Sequence, residues 1–105
     1  MTNRAMPEES VVEVVTILNP QGLHARPAEM FVSLATKFAA KIDVLKDDES
    51  VDGKSILGVL TLLAEQGTEL TIRATGPDAA EATTALRELV MSGFGDEPGA
   101  SSVGD

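Results

Sequence analysis

The sequence predicts an α+β domain: a four-stranded antiparallel sheet covered on one face by three helices, in the order βαββαβα, an open-faced sandwich. Three observations predict it. Seven segments follow one another through short turns, in the order strand, helix, strand, strand, helix, strand, helix. The strands alternate apolar with polar side chains, so each has one wet face. The longer helices are amphipathic, and their apolar stripes need the dry face of a sheet to cover them.

Residues 1 to 10 are polar, carry Pro7 and an acidic pair, and read as a flexible N-terminal extension. The domain proper is expected over 11–91. Residues 11 to 18 are dense in β-branched side chains and predict a strand with Val15 and Ile17 facing the core. Asn19-Pro20-Gln21-Gly22 is turn chemistry. From Pro27 the period becomes helical: Ala28, Phe31, Ala35 and Phe38 line one face with Leu34 beside them, and Pro27 suits the first turn, where a missing N–H is harmless. Residues 41 to 46 alternate again, with Ile42 and Val44 inward, and Asp47-Asp48-Glu49 turns the chain into a short strand at Ser50 to Asp52.

Ser55 is placed to cap a helix running to about Ala64, with Gly67 as a left-handed stop. Apolar residues occupy nearly its whole circumference, more than one core-facing stripe requires. Val59 and Leu63 are expected inside, leaving others to form a docking patch. Thr68 to Thr75 predicts a strand with Leu70, Ile72 and Ala74 inward. Gly76-Pro77-Asp78 opens the last helix, whose stripe is Ala79, Ala82, Leu86 and Leu89, to about Met91. Residues 92–105, rich in Gly and Ser with Asp and Glu, read as a disordered tail.

With 105 residues and 43% apolar side chains, the chain holds one small domain with a core of its own. It has no cysteine, so disulfides and thiolate metal sites are excluded, and a single histidine gives a transition-metal site little to work with. Neither a signal peptide nor a membrane span is expected, which makes a cytoplasmic protein the default. A formal charge of −9 argues against nucleic acid, whose phosphates call for clustered Lys and Arg.

The candidate site is the stretch Asn19 to Ala28. It holds that one histidine, His24, at the point where strand gives way to helix. The helix start at Pro27 and Ala28 offers backbone N–H donors and the positive end of a dipole. Arg26 adds a permanent charge with a planar fork suited to phosphate. The local chemistry is anion handling by an imidazole, against the alternative of a histidine that only caps and packs. Other motifs fail. Gly53-Lys54-Ser55 ends like a phosphate-binding P-loop, but the earlier glycine it needs is Asp48. Asp48, Ser50, Asp52 and Gly53 resemble the start of a calcium loop, but Val59 stands where its bidentate Glu belongs.

At Gly22-Leu23-His24-Ala25-Arg26-Pro27-Ala28, together with Gly53-Lys54-Ser55-Ile56-Leu57-Gly58-Val59-Leu60, the chain resembles the HPr family. These are the histidine-containing phosphocarriers of the bacterial phosphoenolpyruvate-dependent phosphotransferase system, which serves sugar transport. The resemblance spans residues 11 to about 91. It implies that His24 is the phosphorylated residue, at Nδ1 in the family, taking its phosphoryl group from enzyme I and passing it to a IIA component. Arg26 would help stabilise the phosphate. Ser55 matches a regulatory serine phosphorylated by an ATP-dependent HPr kinase/phosphorylase, and Ile56, Leu57 and Leu60 match partner-docking residues. It implies a monomer with no cofactor and no metal, consumed and regenerated in a relay, with a transcriptional regulator as a further partner. The alternative is a regulatory binding module, a nitrogen-related or catabolite-control paralogue, that acts mainly through Ser55-dependent docking. A small hydrolase using His24 as a base has no specified nucleophile.

Overall fold

Alternation of apolar and polar side chains folds Ser10–Thr16 (β1), Lys41–Lys46 (β2), Glu49–Asp52 (β3) and Glu69–Thr75 (β4) into one sheet. Helical periodicity forms Ala25–Ala35 (α1), Ile56–Thr61 (α2) and Ala79–Met91 (α3), giving the predicted order βαββαβα. The structure, a computed structural model, describes residues 10–95. All but the last residue of the expected N-terminal extension therefore lie outside the described residues, as does most of the tail.

The strand order is β1-β4-β2-β3 and every pairing is antiparallel. Register sorts the side chains. Val15 pairs with Leu70, and Val44 with Ile72, so these point together under the helices, where α3 lies on β1 and β4 and α1 packs on α3 and α2. Val15, Ile42, Val44, Leu70, Ile72 and Ala74 are all buried, as expected. Ile17 is also buried, although β1 ends one residue before it; its N–H donates to Thr68 O at 2.9 Å and its carbonyl accepts from Gly67 N at 2.8 Å. On the opposite face Val12 and Val14 are exposed, and Arg73 pairs with Asp43 at 3.2 Å.

The structure corrects the expectations at several points. The second helix was expected to reach Ala64, but it closes at Thr61. Leu63 then takes a left-handed conformation, φ 53°, which turns the chain so that Leu62 enters the core at 1% exposure while Leu63 stands out at 75%. Leu62, and not Leu63, is the core residue alongside Val59. Gly67 is left-handed as expected, φ 91°, but it belongs to the turn into β4 and not to a helix end. The disordered tail was placed from residue 92, whereas Ser92 to Gly95 turn back over the end of α3 and bury Phe94 at 1% exposure. Phe38 and Leu89, expected on core stripes, are half-buried, and Val90 takes the inner position on α3.

Asp78 fastens the α1–β2 connection to α3. Its two carboxylate oxygens accept from Ala39 N at 2.9 Å and Ala40 N at 2.8 Å. The Ala39 N–H is the main cause that holds the Asp78 carboxyl below its ordinary range, with Ala40 N–H and the Lys54 charge adding to it and desolvation opposing it.

Leu62→Ala is expected to destabilise the fold by about 2–5 kcal/mol through its cavity, and Leu63→Ala by only about 0.5 kcal/mol, as read from urea denaturation. Equal losses would contradict this burial. Because the folded pKa of Asp78 is depressed, its contribution is present above the unfolded carboxylate value and is lost as pH falls through the folded one. The stability gap between the wild type and Asp78→Asn is therefore expected to be widest near neutrality and to narrow in acid.

Candidate functional site

His24 is the residue immediately before α1, with extended backbone angles (φ −87°, ψ −164°), and its side chain makes no capping hydrogen bond. The ring therefore does not cap the helix, although it does pack, with Nε2 buried. Ala28 N donates to His24 O at 2.9 Å. Pro27 has no N–H, so the free donors of the first turn are the amides of Ala25 and Arg26. Pro27 and Ala28 are buried and root the helix start, while Arg26 is exposed and, among the described residues, forms no ion pair. The first turn contains no acidic residue to oppose an anion.

The loop ahead of His24 is held from both sides. Asn19, buried at 2% exposure, donates through Nδ2 to Gly22 O at 2.6 Å, and His24 N donates to the same carbonyl at 3.0 Å. Across the gap, Leu23 N donates to Ala64 O at 2.8 Å. Gly22 is left-handed, φ 73°, and a Cβ there would lie 2.5 Å from the Ala64 carbonyl oxygen, so only glycine fits both the angle and the approach. This contact brings His24 to the exit of α2.

Between them is an open recess of about 250 Å³ lined by Gln21, Leu23, His24, Leu60, Leu63, Ala64 and Glu65. The Nε2 atom of His24 is buried without a hydrogen-bond partner. Leu60, half-buried against the core, reaches the recess, so of the three expected docking residues it is the one that the structure joins to His24. Ile56 (40% exposed) and Leu57 (75%) stand out from the same short helix without lining the recess. Ser55 caps α2 as predicted, its Oγ accepting from Gly58 N at 3.0 Å, but it too lies outside the recess. Leu63, expected in the core, lines the recess instead, and Glu65 carries no sequence signal for this place, since both lie beyond the helix end, where periodicity no longer applies. Asn19 did carry a signal, as the first residue of an Asn-Pro-x-Gly turn.

Among the described residues, no group of His, Cys, Asp and Glu is placed to hold a metal ion, and no helix is long and apolar enough to cross a membrane.

The stretch that carries this histidine lies within residues 11–92, which a family model described as the PTS HPr component phosphorylation site matches. That match defines the class as a phosphocarrier of the phosphotransferase system. Phosphocarrier protein HPr of Treponema pallidum is 40% identical over 87 residues, which cover 83% of this chain and 99% of that one. The crystal structure of HPr-C-His from Thermoanaerobacter tengcongensis superposes with a TM-score of 0.75 at 43% identity, covering 87% of this chain and 98% of that one. An HPr dimer structure from the same organism gives a TM-score of 0.67 at 45% identity, covering 78% and 94%. The chain belongs to the HPr family, and its four-stranded open sheet with three helices is the HPr fold.

Gly22→Ala is expected to destabilise the domain by about 1–3 kcal/mol from the left-handed strain alone, with the Ala64 clash adding to it. Denaturation should show this, together with displaced His24 ring resonances. Wild-type stability with unmoved His24 signals would mean that the clamp does not set the ring.

Proposed function

We propose that this chain carries a phosphoryl group on His24, accepting it from phosphorylated enzyme I and passing it to a IIA component. One observation carries the reading: the His24 side chain makes no capping bond, and with Nε2 enclosed, Nδ1 is the ring nitrogen left for an incoming phosphorus. The Nδ1 lone pair attacks phosphorus while the bond to the donor's leaving atom breaks and its electron pair departs with the donor. The proton on Nε2 stays in place. Charge on the transferring group spreads over its three equatorial oxygens, where the Ala25 and Arg26 amides and the Arg26 guanidinium neutralise it by position. Helix-terminus effects amount to about 0.3–1 kcal/mol, weak enough to let the group go again. The chain is then a partner regenerated in a relay, and a cytoplasmic setting suits it.

Docking is assigned to Leu60 at the recess together with Ile56 and Leu57, which stand in solvent beside it. Regulation through Ser55 is a second reading, favoured by its place at the head of this apolar helix. An HPr kinase/phosphorylase would add phosphate where the cap already collects backbone N–H, changing the charge of the docking surface more than the fold. A transcriptional regulator is then a further partner.

Incubation with phosphoenolpyruvate and enzyme I is expected to add one acid-labile phosphoryl group, absent in His24→Ala. Labelling of His24→Ala at the wild-type level would overturn the carrier role. Arg26→Ala is expected to slow acceptance about ten-fold, or ~1.4 kcal/mol of transition-state stabilisation. For Ser55, an ATP-dependent, acid-stable label lost in Ser55→Ala is the expected result with an HPr kinase; its absence removes the regulatory reading.

A further inference from the structure

Carrying phosphate on Nδ1 obliges the proton of the neutral ring to sit on Nε2, since the attacking nitrogen needs its lone pair. In this structure Nε2 is buried and has no acceptor, and His24 is one of the residues that line the recess. The demand for one rises during transfer, because forming the Nδ1–P bond makes the ring cationic. The walls offer few candidates. Among the side chains that line the recess, those of Leu23, Leu60, Leu63 and Ala64 carry no polar atom. Gln21 and Glu65 remain.

Between these, Glu65 brings charge. A carboxylate facing the far nitrogen of a histidine fixes its tautomer and stabilises the imidazolium that forms in the reaction, the part an aspartate plays in a Ser-His-Asp triad. Its backbone is fixed at the recess edge, with Glu65 N donating to Thr68 Oγ1 at 3.1 Å and Glu65 O accepting from Thr68 N at 2.9 Å. Its side chain is exposed and, among the described residues, unpaired, so it is free to swing. Its backbone also adjoins Gly22, two residues ahead of His24.

We propose that Glu65 is a positioning residue for His24, its carboxylate accepting the Nε2–H across the recess as the phosphoryl group settles on Nδ1. The inference rests on the carrier reading above. The carboxylate takes no proton and forms no covalent bond; it orients the ring and offsets its charge.

The test uses the full chain with histidine labelled in ¹⁵N. Glu65 is exposed, so Glu65→Ala and Glu65→Gln are expected to fold with unchanged melting temperature. In the phosphorylated wild type, the Nε2–H proton is expected to resonate downfield and exchange slowly with water, and in Glu65→Ala it is expected to move upfield and exchange faster. Phosphoryl acceptance in Glu65→Ala is expected to fall about five- to ten-fold in kcat with little change in KM for the donor, and Glu65→Gln, which keeps an oxygen acceptor, is expected to lie between. Gln21→Ala is expected to match wild type. Wild-type kcat and an unmoved Nε2–H in Glu65→Ala would overturn the proposal, and so would the same losses in Gln21→Ala instead. The two readings fail separately: no phosphoryl group on His24 defeats the carrier role, whereas a phosphorylated His24 indifferent to residue 65 defeats only the role of Glu65.

Discussion

The hydrogen bond from Leu23 N to Ala64 O, closed over a glycine that admits no Cβ, is the constraint on which the site depends. It joins two loops from opposite halves of the sequence, one leading into α1 and the other leaving α2. Ile17 extends the joint with two further backbone bonds, one to Thr68 and one from Gly67, and Gln66 Nε2 adds another to Leu18 O at 2.9 Å. His24 is thereby carried on a rigid ledge, although it stands in a loop. Without the joint, the helix start would still offer its amides, but the ring would lose the apolar wall formed by Leu60 and Leu63.

Much of this fold was legible because the strands are plain in their alternation and the turns in their chemistry. Where local signals agree, as at Ser55, whose hydroxyl caps the helix whose first apolar residues follow it directly, the expectation and the structure coincide. The failures cluster where the apolar pattern carries no phase. Leu60, Leu62, Leu63 and Ala64 form an almost unbroken apolar run, so no period can say which leucine turns inward. That choice is made by the left-handed backbone at Leu63, a conformation with no marker in a leucine. Phe94 was hidden by composition: glycine on both sides made a buried aromatic look like part of a loose tail.

Of the site, His24 and Arg26 could be read from one short stretch, because the chemistry of a helix start is local. The recess could not. It is formed by the contact of Gly22 with Ala64 and Glu65, residues far apart in the chain, and tertiary contact alone made a neighbour of Glu65. Asp43 follows the same rule on the open face of the sheet. Alternation places it on the wet face of β2, yet it is buried at 8% exposure because Arg73 and Lys41 lie close around its carboxylate.

The recess also has a kinetic meaning. A domain this small presents one histidine and one adjoining apolar ledge, and in the proposed relay both the giver and the taker of the phosphoryl group must address them. They cannot be seated together. Each cycle then requires full departure of the first partner before the second arrives, so residence time on the ledge sets an upper limit on flux. Tighter docking beyond a certain point slows the relay.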